Sequence, residues 1–389
     1  MKNIKDFDLN NKKVIIRVDF NIPIKDGKIS DDNRIVSSLD TINYAISNNA
    51  KVILMSHLGR IKEEADKEKN SLLPVAKRLC ELLDKNVYFS HYTRGEKLEK
   101  AIDNLKPGEV LLMENTRYED LDGKKESGND PELGKYWASL GEIFINDAFG
   151  TCHRAHASNV GIASNLPSGI GFLVQKELDN MLPVINNPEY PFIVILGGSK
   201  VSDKIGIIEN LIDKVDKILI GGAMAYTFLK AKGYNVGKSL VEDEKIDYCK
   251  DLLKKTNKIV LPVDHVCSKE IGKEATTKGI MEKDDIGLDI GEGTIKVFAP
   301  YISSARTIVW NGPLGMYEEE KYCNGTIEVA KLLDKNRATI IVGGGDTTAA
   351  LLSLGFKDNI THISTGGGAS LELLEGKELP GIAIIEEEK

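Results

Sequence analysis

Ten short aliphatic runs, each followed by residues with helical spacing, constrain this chain's fold more than any other feature. In the first half they are residues 14–18, 52–55, 110–113 and 143–145. In the second half they are 192–196, 218–220, 259–262, 307–310, 339–342 and 360–363. A strand with one face in water alternates apolar and polar residues; most of these runs do not, so both faces must be covered. Helical patterns such as 72–83 and 223–231 lie between them. This order predicts parallel sheets with helices on both faces. An amphipathic stretch, 172–181, suits a connecting helix, and a run of prolines and asparagines, 182–188, then breaks the pattern. The expected architecture is therefore two doubly wound, Rossmann-like α/β domains joined by a linker: 1–171, then 172–188, then the part from 189 onward. At 389 residues the chain is long enough for a core in each. The tail, 386–389, is a charge run and reads as a solvated end.

The net charge is −8, which offers no bulk attraction to nucleic acid or to an anionic membrane. Any anion site must then be a local gathering of Lys and Arg. The five cysteines, Cys80, Cys152, Cys249, Cys267 and Cys323, are scattered and form no C-x-x-C pair. They argue against a disulfide framework and a zinc ribbon, and fit a reducing compartment. The first residues, MKNIKDFDLNNKK, have no apolar core of a leader, and no run approaches membrane-spanning length. A cytoplasmic protein is expected.

In doubly wound folds ligands lie beyond the carboxyl ends of the strands. In the first half those positions lead to Asp19-Phe20-Asn21 with Arg34 beyond, to Ser56-His57-Leu58-Gly59-Arg60, to Glu114-Asn115-Thr116-Arg117, and to Asn146-Asp147 followed by Cys152-His153-Arg154-Ala155-His156. An acidic protein has thus gathered Arg34, His57, Arg60, Arg117 and Arg154 on one rim. A single arginine after a strand is most often half of a surface ion pair. Four in equivalent places favour a small polyanion, which the planar guanidinium suits. Cys152, His153 and His156 lack a further ligand at a recognised metal spacing, and hydrogen-bonding roles are preferred.

In the second half the strand ends are glycine-rich: Gly197-Gly198-Ser199-Lys200, Gly221-Gly222, Asn311-Gly312-Pro313-Leu314-Gly315, Gly343-Gly344-Gly345-Asp346 and Gly366-Gly367-Gly368. Close backbone approach at these ends suits a nucleotide with its phosphates. Asp346 has two readings. It is a Mg²⁺ ligand, since an acid beside phosphate needs a cation between, or it is the N-cap of the next helix. Lys200 and Lys204, four apart, would share a helix face if the helix has begun by then, and would hold phosphoryl oxygens; otherwise they are solvated. Residues 233–239 resemble a P-loop but are one residue short, and no G-x-G-x-x-G follows a candidate strand.

RVDFN (17–21), SHLGR (56–60), NDAFGTCHRAHAS (146–158), GGSKVSDKI (197–205), WNGPLGMYE (310–318), GGGDTT (343–348) and STGGGASLELLEGKELPG (364–381) together resemble the phosphoglycerate kinase family from end to end and in its order. The resemblance implies reversible transfer of the acyl phosphoryl group of 1,3-bisphosphoglycerate to Mg²⁺-bound ADP, giving 3-phosphoglycerate and ATP. It implies that Asp19, Asn21, Arg34, His57, Leu58, Gly59, Arg60, Arg117 and Arg154 hold the phosphoglycerate. Lys204, Gly291, Asn311, Glu318, Gly344, Gly345, Asp346 and Thr347 would hold the nucleotide, with Asp346 on Mg²⁺. Arg34, Lys200, Lys204, Gly345 and Gly368 would surround the transferred group. It further implies a nucleotide domain over 189–375, a C-terminal segment, 376–389, returning to the first domain, and a monomer. Departures are Cys152 where a small residue is usual, suggesting an oxidisable thiol, the variants Thr116 and Tyr118, and Glu292-Gly293 in place of a proline-containing turn.

The chemistry agrees with the residues. A carboxylate or phosphate nucleophile is already ionised, so in-line positioning and positive charge are needed rather than a general base. The two rims are expected to meet on domain closure, which excludes water. Two rival readings are an NAD(P)-dependent dehydrogenase, which lacks its fingerprint glycine turn, and a non-catalytic nucleotide-binding regulator, which leaves the arginine rim without purpose.

Overall fold

The computed structural model describes residues 1–25, 27–353, 355–356 and 359–386. The charged tail beyond Glu386 lies outside them. The chain divides into two compact units, Met1–Leu178 with Glu378–Lys389, and Asp179–Lys377. The expected aliphatic runs become strands because unbroken apolar residues can be covered on both faces; Phe192–Leu196 and Thr307–Asn311 are buried along their whole length.

The first unit has six parallel strands: β1 (Lys13–Val18), β2 (Lys51–Met55), β3 (Val87–Ser90), β4 (Val110–Met113), β5 (Ile143–Asp147) and β6 (Ser168–Ile170). Their order is β3-β4-β2-β1-β5-β6. The chain winds away from β1 in both directions, which places a switch point between β1 and β5. The second unit repeats the plan with β7 (Phe192–Leu196), β8 (Lys217–Ile220), β9 (Ile259–Val260), β13 (Thr307–Asn311), β14 (Thr339–Gly343) and β15 (His362–Ile363), ordered β9-β8-β7-β13-β14-β15. Its switch point lies between β7 and β13. A separate antiparallel sheet of β10 (His265–Ser268), β11 (Thr276–Lys278) and β12 (Ile286–Ile290) is inserted before β13. Each unit has its own core, around Val14, Ile16 and Leu54 in the first and Ile193, Trp310 and Ile340 in the second.

The proline run does not break the chain where expected. The helix Phe172–Asn186 passes through Pro183, forgoing one N–H···O bond, and Asn187 N donates to Pro183 O at 2.8 Å. Its start is held by Asp147 Oδ1, which accepts from Leu173 N at 2.9 Å. The helix Pro380–Glu386 is tied into the first unit: Gly381 N donates to Cys152 O and Asn146 Nδ2 to Gly381 O, both at 2.9 Å.

Candidate functional site

The first unit's switch point carries the predicted basic rim. Arg34, in the first turn of helix Asn33–Ser47, donates to Asp19 Oδ2 at 2.8 Å. Asn21 Oδ1 accepts from Gly59 N at 2.9 Å, which ties the loop after β1 to the loop after β2. Gly59 has φ +60, and a Cβ there would lie 2.2 Å from Asn70 Oδ1, so a larger residue would be strained and would have to displace the Asn70 amide. Leu58 is buried and clasped by Asn115, which accepts from its N at 3.1 Å and donates to its O at 2.7 Å. Arg117 stands on the turn Thr116–Asp120, 3.7 Å from Asp120, with a buried Nε that no group among the described residues satisfies. Arg154 is exposed and donates to His153 Nε2 at 3.1 Å. Arg60 is exposed, and its guanidinium has no ion-pair partner among the described residues.

Beneath this rim lies a buried polar cluster whose mutual contacts no motif spacing announces. Arg17 is fully buried; its Nε donates to Ser158 Oγ at 2.8 Å and its Nη2 to His57 Nδ1 at 3.2 Å. Glu126, also fully buried, lies 3.9 Å from Arg17 Nη2. Burial pulls the guanidinium down and pushes the carboxyl up, so the pair only partly offsets its own desolvation. Desolvation, then the nearby Arg17 and Arg117, holds His57 well below its ordinary range and brings His156 down to about 3. Both imidazoles are neutral at pH 7. The arginines of the rim were legible in the sequence, and Arg17, His57 and Ser158 as members of motifs; Glu126 and the contacts among the four were not.

At the second unit's switch point the glycine clusters separate into two kinds. Gly197, Gly222 and Gly312 are small because backbones meet there. A Cβ on Gly197 would lie 2.1 Å from Pro313 O, and one on Gly222 2.6 Å from Gly198 N. Gly198 N donates to Pro313 O at 2.8 Å, and Gly222 N to Leu314 O at 2.9 Å. At Gly345 and Gly367, by contrast, nothing lies within 4 Å of an added Cβ. Gly198, whose nearest neighbour to an added Cβ is Lys204 at 4.0 Å, is nearly as open, so open backbone lies after β7, β14 and β15 rather than at every glycine-rich end. Gly345 opens helix Gly345–Ser353 and Gly368 opens helix Gly368–Leu374.

Lys204 Nζ donates to Asn311 Oδ1 at 2.5 Å, at the ends of β7 and β13. Burial lowers its pKa, while Asp203, Asp346 and Glu375 hold it up. Lys200 is exposed and outside regular structure, and the helix begins only at Ile205, so the two lysines do not share a helix face. The intervening turn, closed by Lys204 N to Val201 O at 2.8 Å, is the cause. Asp346 sits in the first turn of its helix, and its exposed carboxylate accepts no hydrogen bond among the described residues; the capping alternative therefore fails. Thr347 is buried, and its hydroxyl is taken by Gly312 N at 2.6 Å, so its side chain ties β13 to the helix after β14. Gly344, at φ +93, lies beside Asn311, whose buried Nδ2 has no hydrogen-bond partner among the described residues. Gly291 precedes helix Glu292–Ser304 and leaves room for Asp264, whose carboxylate a Cβ would meet at 2.4 Å. Glu318 is exposed.

Two buried groups behave unlike their sequence context. Cys152 is fully buried and burial pushes its thiol up, so it stays protonated and shielded, contrary to the oxidisable thiol expected. Asp289, under the loop that carries Met316, accepts from Gly325 N at 2.7 Å and Ile290 N at 2.8 Å, and burial raises its pKa from 3.8 to about 7. The folded state keeps a proton there that the unfolded chain releases near 3.8. Stability from this group is full below that point and is lost as pH rises through about 7. Urea unfolding of the second unit, followed at buried Trp310, should become easier as pH rises from about 4 to about 7, and Asp289→Asn should flatten that slope; an unchanged slope would count against it.

Positive charge at the first unit's switch point suits a small anion, and open glycine backbone beside a lysine at the second unit's suits phosphate oxygens. The class is a two-domain α/β phosphotransferase. A sequence profile described as phosphoglycerate kinase matches residues 4–377. The chain is 61% identical over 393 residues to the phosphoglycerate kinase of Fusobacterium nucleatum, covering 99% of each. It is 59% identical over 390 residues to that of Listeria monocytogenes serotype 4b, covering 99% of this chain and 98% of the other. Among solved structures, phosphoglycerate kinase from Coxiella burnetii matches with a TM-score of 0.89 at 40% identity, and that from Pyrococcus horikoshii OT3 with 0.86 at 32%; each covers 99% of this chain and 98% of the other. The chain belongs to the phosphoglycerate kinase family, whose activity is the phosphoryl transfer of glycolysis, with nucleotides and other small molecules as substrates. Among the described residues no helix is long and apolar enough to cross a membrane.

Proposed function

We propose that the first unit binds 3-phosphoglycerate or 1,3-bisphosphoglycerate through Asp19, Asn21, Arg34, His57, Leu58, Gly59, Arg60, Arg117 and Arg154, and that the second binds ADP or ATP through Lys204, Gly291, Asn311, Glu318 and residues 344–347. The observation that carries this reading is the carboxylate of Asp346, unbonded beside open glycine backbone and near enough to act on Lys204. An exposed acid at a phosphate site is otherwise repulsive; a hard cation between the two removes the conflict.

Mg²⁺ fits this arrangement. It is commonly held by one or two carboxylates together with substrate phosphates. Among the described residues no group of three or more His, Cys, Asp or Glu gathers into a metal cage, so the protein offers a partial shell that phosphates complete. Asp346 would hold the ion, which when bound supplies positive charge to the phosphate oxygens. Arg34, Lys200, Lys204 and the amides of Gly345 and Gly368 would surround the transferred group and orient it for in-line displacement. No residue need remove a proton, because the attacking carboxylate or phosphate is ionised near neutral pH. A cytoplasmic monomer accords with the family resemblance.

ADP formation from ATP by the purified chain, coupled to a dehydrogenase that consumes the acyl phosphate, tests the reading. Strict dependence on 3-phosphoglycerate and Mg²⁺ is expected, with loss of turnover in excess chelator and recovery on adding Mg²⁺. Nucleotide binding without turnover would favour a regulator instead.

A further inference from the structure

Glu126 belongs to none of the sequence motifs, yet its carboxylate joins three of the segments that form the basic rim. Oε1 accepts from Ser158 Oγ at 2.5 Å and from Thr116 Oγ1 at 3.1 Å. Oε2 accepts from Ser158 N at 2.9 Å. Ser158 Oγ in turn accepts from Arg17 Nε at 2.8 Å, and Arg17 Nη2 reaches His57 Nδ1 at 3.2 Å. Every side chain in this chain of contacts is buried. The surrounding charged groups are Arg117 and Asp19, and the neutral His156 lies 4.0 Å from Glu126.

A guanidinium carries only donors. Nδ1 of His57 must therefore accept, which puts the ring's proton on Nε2. We propose that Glu126 is a positioning residue: through Ser158 and Arg17 it fixes His57 as the Nε2–H tautomer, which donates to the bound phosphoglycerate, and through Thr116 it sets the turn that carries Arg117. This rests on the reading of the rim as the phosphoglycerate site. The orienting link is long-range in sequence and entirely side-chain in nature. It explains why an acid is buried under a site built for anions, where it would otherwise oppose binding.

The test uses Glu126→Gln, Ser158→Ala and, as a check on the rim itself, Arg60→Ala, all in the full chain. The Glu126→Gln change keeps the size of the side chain but removes the charge and turns one of its two acceptor oxygens into a donor. The KM for 3-phosphoglycerate should rise about tenfold or more, the scale of a lost charge-assisted hydrogen bond. The KM for ATP should stay within about twofold, because the nucleotide residues lie in the other unit. Nitrogen-15 NMR of the imidazoles should show His57 as the pure Nε2–H tautomer in the parent chain and as a tautomer mixture in the Glu126→Gln and Ser158→Ala chains. A 3-phosphoglycerate KM within about twofold of the parent, or an unchanged His57 tautomer, overturns the inference. If the Glu126→Gln chain does not fold, Ser158→Ala decides by the same two readouts. Arg60→Ala separates the failures: if it leaves the 3-phosphoglycerate KM unaltered, the rim reading itself is wrong.

Discussion

Lys204→Ala is expected to lower kcat by about 10²–10³-fold, equivalent to roughly 2.7–4 kcal/mol of transition-state stabilisation. The lysine is fixed before any substrate arrives, by its hydrogen bond to Asn311 at the switch point. Its surroundings are partly desolvated, as its lowered pKa reflects, and a cation acts more strongly there than in water. Three carboxylates, Asp203, Asp346 and Glu375, keep it charged against that burial. A group placed and charged in advance acts where negative charge develops during transfer, so kcat should fall much more than the KM for ATP rises. Steady-state kinetics in both substrates would read this. A raised ATP KM with kcat intact would make Lys204 a binding group only. Lys200, exposed and outside the helix, should give a smaller loss when replaced.

Arg17→Met should destabilise the first unit by about 3–5 kcal/mol, the usual cost of breaking a buried ion pair from one side. The substitution leaves Glu126 fully buried with only hydroxyl and amide donors and removes the donor that faces His57. The pair's net worth is a separate matter, since both of its charges are disfavoured by burial. Replacing both partners by apolar residues should therefore recover part of the loss. A two-unit chain need not unfold in one step, so the measurement must report one unit. The chain has two tryptophans, and one buried tryptophan lies in each unit. In a Trp310→Phe background, Trp137 fluorescence during urea unfolding isolates the first unit. A shift below about 1 kcal/mol, typical of an unimportant surface change, would mean the network does not hold the unit together.

The doubly wound architecture was open to reading because burial on both faces leaves a local mark, an unbroken aliphatic run. Strands without that mark were invisible. β3 ends in polar Ser90, β6 contains Gly169, and β10 to β12 mix apolar with charged and polar residues in an antiparallel sheet. The arginines of the rim were legible for a related reason: Arg60 and Arg117 lie a few residues past their strands, while Arg34 and Arg154 stand further on, the former in the next helix.

Sequence alone determined the alternation of strand and helix and the residue types at the strand ends, since these depend on neighbours along the chain. The tertiary structure decided what those residues touch. Gly197 and Gly345 look alike in sequence, yet one makes room for a neighbouring backbone and the other faces open space. Lys200 and Lys204 share a spacing, yet only Lys204 is drawn onto Asn311. Arg17, Glu126 and Ser158 are brought together by the packing of β1, the Thr116 turn and the segment after β5, which no local period encodes. Desolvation and directed hydrogen bonds depend on distance in space, and only the folded chain sets that distance.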